Sequence, residues 1–264
     1  MIRTFVYSHG YQATAVAVYA YGLSRFHHYS CSIQVIAWIF FAVLAFYSYV
    51  RSSASYLHPG YAHWLSQYHQ FNKAIMLIAA TAAAVAFLFL TPLQQFVGVG
   101  SGLVTALYYW QLRRIGWLKP IIVASVFALI TTGIPAAASE HVWFTRLPLA
   151  MGLLLANLLL FELRDADADA RFQLHTWPAI IGANKLKWTI GVLLVFDALV
   201  PFPQFTDSRM PMLMAYAMPH LVCLQTLWYF FYRKTPAWYY AVIGDGWLAL
   251  LGCYALLISF LRHQ

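Results

Sequence analysis

Acidic residues are scarce in this chain, which has eight Asp and Glu among 264 residues and 9% charged residues overall. Apolar residues make up 62% of the sequence, whereas a soluble globular domain holds roughly 45–50%. The composition therefore excludes a soluble globule. The three cysteines, Cys31, Cys223 and Cys253, show no pairing pattern, so we do not expect a disulfide framework.

Common motifs of soluble enzymes are also missing from the sequence. It has no Gly-rich phosphate loop, no Ser-His-Asp arrangement and no Cys-rich metal-binding motif. The net charge of +8 requires no nucleic acid as a partner, because most of the Lys and Arg residues fall between long apolar runs. There they can contact membrane lipid headgroups or an anionic substrate.

Long apolar runs fill most of the chain and predict membrane-spanning helices, each of which needs about 20 mostly apolar residues. Nine such runs lie near residues 5–24, 32–50, 74–91, 93–110, 119–138, 142–162, 187–201, 210–231 and 237–261. We therefore predict an all-α fold. It would be a single integral-membrane domain, residues 1–264, with nine transmembrane helices.

The distribution of Lys and Arg predicts the orientation in the membrane. With nine spans and the N-terminus inside, most of the sixteen Lys and Arg residues lie on the inner side. This asymmetry follows the positive-inside rule. We expect a multi-pass protein whose N-terminus faces the cytoplasm, together with the segments 51–73 and 162–171.

Half of the acidic residues lie in one segment, FELRDADADARF, which contains Glu162, Asp165, Asp167 and Asp169. If the sixth run continues as a helix through it, Glu162, Asp165 and Asp169 share one face at positions i, i+3 and i+7. Three like charges on one face favour a bound cation, and magnesium binds carboxylates together with water or substrate phosphates. The spacing alone leaves two interpretations open, a magnesium site and a charged helix end at the membrane surface.

Basic residues are predicted on the same side of the membrane as the acidic segment. The sequence LRRIGWLK, between the fourth and fifth runs, contributes Arg113, Arg114 and Lys119. Carboxylates, guanidinium groups and aromatic side chains at the cytoplasmic end of a helical bundle suit a phosphorylated lipid as ligand, because magnesium and arginine both bind phosphates.

Two stretches resemble a known family. The sequence ELRDADADARFQLHTWPAIIG is similar to the second aspartate motif of the UbiA superfamily of intramembrane prenyltransferases. Glu162, Asp165 and Asp169 match the acids of that motif, and a Thr-x-Pro and a Gly follow at Thr176, Pro178 and Gly182. The sequence LYYWQLRRIGWLKPII resembles the Tyr-rich, basic segment that this family carries between its fourth and fifth spans.

The resemblance implies a nine-span UbiA-like bundle and a prenyltransferase, that is, a transferase of alkyl or aryl groups other than methyl. Glu162, Asp165 and Asp169 would bind Mg²⁺, with Asp165 and Asp169 as the catalytic acids. Arg113, Arg114 and Lys119 would contact the diphosphate of an isoprenoid donor. The prenyl group would pass to a lipophilic or aromatic acceptor in the membrane.

The chain departs from the family at the end of the second span, where a first motif of Asn and spaced aspartates is expected. The corresponding sequence, FYSYVRSSASYLHPGYAHWLSQYHQ, contains no Asp or Glu. Arg51 stands near the position of an acid, and a guanidinium binds phosphate bidentately. This departure supports an alternative function, a non-catalytic relative that binds a polyprenyl lipid or supports another membrane complex.

A few other polar residues lie within or beside the apolar runs. Asn157 and Asp245 are candidates to line an internal cavity, although an interhelical hydrogen bond or an ion pair explains them as well. His58, His63 and His69 share the predicted loop 51–73. Their spacing does not place them on one helix face, so we do not expect a metal site there.

Overall fold

A computed structural model describes residues 9–27, 29, 31–52, 59–110, 115–137, 143–171, 175–199, 210–232 and 237–262. Every regular element in these ranges is a helix, which confirms the all-α prediction. The helices are α1 (Gly10–Phe26), α2 (Ile33–Ser52), α3 (Pro59–Phe87), α4 (Pro92–Trp110), α5 (Lys119–Ala128), α6 (Trp143–Arg171), α7 (Trp177–Ile181), α8 (Ala183–Leu199), α9 (Met210–Tyr232) and α10 (Ala237–Arg262). After α5, the chain continues as a π-helical turn (Leu129–Gly133) and a short α-helical turn (Ile134–Ala136).

Four segments of the described residues are long and apolar enough to cross a bilayer: Ile33–Val50, His63–Phe87, Gly116–Ala136 and Val242–Phe260. Large apolar side chains on these helices face outward, as Leu77, Ile78 and Phe260 do. The protein is therefore an integral membrane protein. The count of nine spans stays a prediction.

The segment predicted as a loop over residues 51–73 is mostly helix. α3 begins at Pro59, far before the predicted start of the third span, and bends at Tyr68, whose φ of −118° and ψ of 25° are not helical. Proline is well tolerated in the first turn of a helix, because the N–H that it lacks has no partner there. His63 and His69 lie on the exposed surface of α3, and His58 falls outside the described residues.

The core forms around α6. Leu153, Leu159 and Leu160 of α6 are fully buried, and Leu186 and Ile190 of α8 lie in the same apolar cluster. α6 packs against α5, α8 and α10, and α10 packs against α1 along most of its length. The helix that carries the acidic segment is thereby fixed by three neighbouring helices.

A buried polar pair connects α8 and α9. His220 Nε2 lies 2.8 Å from Asp197 Oδ2, and both side chains are buried. The Leu153 backbone on α6 also lies within electrostatic range of the Asp197 carboxylate. A carboxylate inside an apolar bundle needs such partners, because burying it without hydrogen bonds is costly.

We expect His220→Leu to lower the free energy of unfolding by about 2 kcal/mol, since it leaves a buried acceptor with fewer partners. Denaturant titration in detergent micelles measures the loss. Asp197→Leu combined with His220→Leu should cost less than His220→Leu alone, because no buried polar group is then left unpaired. A double variant that is less stable than the single one would contradict this role of the pair.

Candidate active site

The acidic segment lies on α6, which continues as a helix to Arg171, as the sequence predicted. Glu162 is 1% exposed and Asp169 is 7% exposed, whereas Asp167 faces solvent. Glu162 is within electrostatic range of both Asp165 and Asp169. The three acids that the spacing placed on one face thus form a cluster, which we call the acidic end of the bundle.

Lys119 pairs with the most deeply buried acid. Its Nζ lies 2.6 Å from Glu162 Oε1 at the start of α5. The other carboxylate oxygen, Glu162 Oε2, is buried and has no hydrogen-bond partner among the described residues. A buried carboxylate oxygen that lacks a partner is costly, so this position favours a further cation.

Arg164 engages a second acid of the cluster. Its Nε and Nη2 donate to the two oxygens of Asp165 at 2.7 and 2.8 Å, which is a bidentate fork. The guanidinium also lies over the ring of Phe161, 4.8 Å from its centroid. It is within electrostatic range of Asp245 on α10 and of Tyr47 on α2. Arg164 on α6 therefore lies within electrostatic reach of both α2 and α10.

The packing of α10 on α6 explains the position of Asp245. A β-carbon on Gly244 would lie 2.8 Å from Asn157 Oδ1 and 2.8 Å from a Phe161 ring carbon, so a larger residue there would force these side chains to shift. The Asn157 and Asp245 side chains are both buried at this contact. Their assignment as cavity residues is untested, and the observed contacts are those of a helix interface.

Tyr108 on α4 is a residue that the sequence reasoning did not single out. It is buried and within electrostatic range of Glu162 and Asp169. Its hydroxyl can donate to a carboxylate or to a bound anion. The only signal in the sequence was its place in the Tyr-rich stretch before the basic segment, where Tyr109 and Trp110 are equally good candidates.

The segment after α6 is held against the start of α5. Trp177 Nε1 donates to the Trp117 carbonyl at 2.7 Å. A β-carbon on Gly116 would lie 2.7 Å from the His175 carbonyl oxygen, so the two segments meet backbone to backbone. The Thr-x-Pro and Gly pattern has a local structural role here: Thr176 precedes α7, Pro178 lies in its first turn, and Gly182 ends it with a φ of 82°.

The predicted diphosphate-binding residues are only partly described. Lys119 lies at the acidic end, as expected. Arg113 and Arg114 fall outside the described residues, as does the side chain of Arg51 at the end of α2.

The donor set at the acidic end fits one magnesium ion. Glu162 Oε2 and the Asp169 carboxylate are buried close together, and magnesium needs only one or two carboxylates when phosphates complete its shell. No group of three or more His, Cys, Asp and Glu side chains in the described ranges is arranged to hold a metal ion. An ion held by Glu162 and Asp169 alone would need further ligands, which phosphate oxygens can supply.

These features define a polytopic helical membrane protein with an acidic site at one end of the bundle. A search of solved structures found a structure of digeranylgeranylglyceryl phosphate synthase in membranes. The similarity covers 99% of this chain and 98% of the other, with a TM-score of 0.56 and 16% sequence identity. No protein-family model and no curated relative matched. At this identity the likeness shows the fold alone, and it agrees with the predicted all-α membrane bundle.

Proposed function

We propose that this chain is a UbiA-like prenyltransferase. It binds an isoprenoid diphosphate with Mg²⁺ and transfers the prenyl group to a lipophilic or aromatic acceptor within the membrane. The observation that carries the proposal is Glu162 Oε2, a buried carboxylate oxygen without a partner in the described chain, at the acidic end of a bundle with a prenyltransferase fold.

Each element of the acidic end has a task in this reaction. Glu162, Asp165 and Asp169 form the face that would hold the ion, which when bound supplies charge that stabilises the leaving diphosphate. Lys119 contributes a further positive charge beside Glu162, and Arg113, Arg114 and Arg51 are proposed to contact the diphosphate. The helices enclose the prenyl chain and keep water from the reacting carbon.

The bond between the diphosphate oxygen and the first prenyl carbon breaks heterolytically, and its electron pair leaves with the diphosphate. The allylic cation that remains is attacked by the acceptor, which then loses a proton. Aromatic ring faces stabilise such a cation. Tyr47 on α2 and Phe127 on α5 place two rings, with centroids 6.3 Å apart, near Arg164 and the acidic end.

We propose that the acidic end faces the cytoplasm, in keeping with the distribution of Lys and Arg along the sequence. On that side it can reach water-soluble magnesium, while the prenyl chain stays among the helices. The whole chain, residues 1–264, would act as one domain.

The second candidate function is a non-catalytic relative that binds a polyprenyl lipid or supports another membrane complex. Two observations favour it: the sequence at the end of α2 has no acid, and the protein's own cations already pair with Glu162 and Asp165. Formation of prenylated product from a labelled prenyl diphosphate, in membranes that contain the chain, would rule this function out.

The test of the proposal is binding of a prenyl diphosphate to the purified protein in detergent, with and without magnesium. Binding should require magnesium, and Asp165→Asn with Asp169→Asn should abolish it, because the acidic face then lacks the charge that holds the ion. Asp167→Asn is the matched control, because this acid on the same helix faces solvent. Binding that needs no magnesium and survives the double substitution would contradict the proposal.

A further inference from the structure

A groove lies between the C-terminal ends of α1 and α10. Its volume is about 510 Å³, and it is lined by Arg25, Leu256, Ser259 and Phe260. Ser259 Oγ donates to the Arg25 carbonyl oxygen at 3.2 Å, which connects the ends of the two helices. The groove thus combines one guanidinium group with an apolar wall.

The groove is at the opposite end of the bundle from the acidic residues. α1 begins near the acidic end, since the His9 ring stacks on that of Tyr47, with centroids 5.8 Å apart, and Tyr47 is within electrostatic range of Arg164. Arg25 lies roughly 24 Å further along α1, at about 1.5 Å per residue. The apolar layer of a bilayer is about 30 Å thick, so this places Arg25 close to the opposite membrane surface, at the level of lipid phosphates.

The surface beside the groove faces lipid. Phe260 and its neighbour Leu257 on α10 are exposed, as expected for side chains that contact acyl chains. Tyr21, one turn before Arg25 on α1, is exposed as well, and tyrosine is common where the apolar layer meets the lipid headgroups. A lipid molecule can therefore reach the groove from the side of the bundle.

The positive charge of Arg25 is not compensated within the described part of the chain. Its guanidinium group makes no ion pair and no hydrogen bond with the residues that the structure describes. The other Lys and Arg side chains in those ranges belong to the helix ends near the acidic residues: Lys73, Lys119, Arg164, Lys185 and Lys187. A guanidinium group binds phosphate bidentately, and a long basic side chain at this level extends toward the headgroups. The groove thus fits a ligand that is anionic at one end and apolar along its length.

We propose that this groove binds an anionic phospholipid. Arg25 pairs with the lipid phosphate, and one acyl chain lies against Leu256 and Phe260. The lipid contacts both helices just beyond the place where they meet backbone to backbone, at Gly22 and Gly252, and it stabilises that helix pair. This site is separate from the acidic end and does not depend on prenyl transfer.

The experiment compares two lipids on the full chain in detergent. Phosphatidylglycerol carries a net negative charge, whereas the choline of phosphatidylcholine neutralises its phosphate. Native mass spectrometry counts the lipids bound per chain and gives the dissociation constant from a titration. We expect one phosphatidylglycerol molecule to bind more tightly than any phosphatidylcholine and to raise the unfolding temperature. Glycerol phosphate should not displace it, because this headgroup fragment lacks the acyl chains that bury apolar surface.

Arg25→Gln should weaken the binding of this phosphatidylglycerol by roughly tenfold, the effect of losing a charge-assisted hydrogen bond. Phe260→Ala should also weaken it, because the acyl chain loses an apolar contact, but the preference for phosphatidylglycerol over phosphatidylcholine should remain. Lys73→Gln is the matched control and should bind like the wild type, since it removes the same charge from an exposed side chain at the other end of the bundle. Thermal unfolding without added lipid shows that each variant is folded.

Several results would overturn the proposal. Equal affinity for the two lipids, or wild-type affinity in folded Arg25→Gln, would show that Arg25 does not bind the phosphate. An equal loss in Lys73→Gln would assign the preference to the overall positive charge of the chain. Displacement by glycerol phosphate would assign the groove to a soluble phosphate ester, and a dimer that excludes the lipid would assign it to a second copy of the chain. The proposed prenyl transfer is tested separately and would be unaffected by any of these results.

Discussion

Gly22→Ala is expected to lower the free energy of unfolding by about 3 kcal/mol, the upper part of the usual range for overpacking. A β-carbon at Gly22 would overlap the Gly252 carbonyl oxygen and lie 2.7 Å from its Cα. Gly252 meets α1 in the same way, since its β-carbon would lie 2.5 Å from the Val18 carbonyl oxygen. These neighbours are backbone atoms, so the two helices must separate to admit a methyl group.

The matched control for this prediction is Gly102→Ala on α4. Apart from the backbone of its own helix, no atom of the described residues lies within 4 Å of the β-carbon position there, so alanine should stabilise the helix by about 1 kcal/mol. Unfolding by denaturant in mixed micelles measures both variants. If the two substitutions have effects of the same sign and size, the close contact between α1 and α10 is not a major source of stability.

The first span illustrates a limit of sequence reasoning. Polar residues such as His9 and Gln12 interrupt the apolar run near residues 5–24, and yet α1 is a helix with many buried residues that packs along α10. His9 bonds Gln12 at 2.7 Å, and the Tyr11 hydroxyl donates to the Val242 carbonyl on α10 at 3.0 Å. Hydropathy counts these side chains as polar, but it cannot show that they find partners within the bundle.

The acidic face was predictable because its evidence is local. Helical spacing alone places Glu162, Asp165 and Asp169 together, and helix α6 does continue through them. The cations that pair with the acids were harder to foresee. Lys119 was expected to face diphosphate and is paired with Glu162, and Arg164, which was given no role, holds Asp165. Which cation pairs with which acid depends on how α5, α6 and α10 pack against one another, and no local sequence pattern encodes that packing.

The loop predicted over residues 51–73 was wrong for a related reason. Polar side chains such as Gln67, His69 and Gln70 interrupt the apolar pattern, and hydropathy then places the start of the third span too late. α3 is nevertheless helical from Pro59, and its first part exposes those side chains. Where a helix extends beyond the membrane interior, its exposed side can be polar.

Glu162→Gln is expected to lower the rate of prenyl transfer by roughly hundredfold or more, the effect of losing one preorganised electrostatic contact to the reacting charge. Glutamine keeps the shape of the side chain and an oxygen that can accept from Lys119. It removes the buried negative charge, and with it the donor strength of Oε2 for a divalent ion. Transfer of a radiolabelled prenyl group in proteoliposomes measures the rate.

Lys119→Met is the comparison that distinguishes a loss of ion binding at Glu162 from a loss of fold stability. It should destabilise the fold by about 3 kcal/mol, because it leaves the buried Glu162 carboxylate without its cation, whereas Glu162→Gln leaves behind a lysine that is 35% exposed and can reach water. Raised magnesium should partly restore Lys119→Met, since an added cation replaces the lost one, and should not restore Glu162→Gln. A Glu162→Gln variant with the wild-type rate would show that Glu162 holds Lys119 in place and has no part in binding the ion.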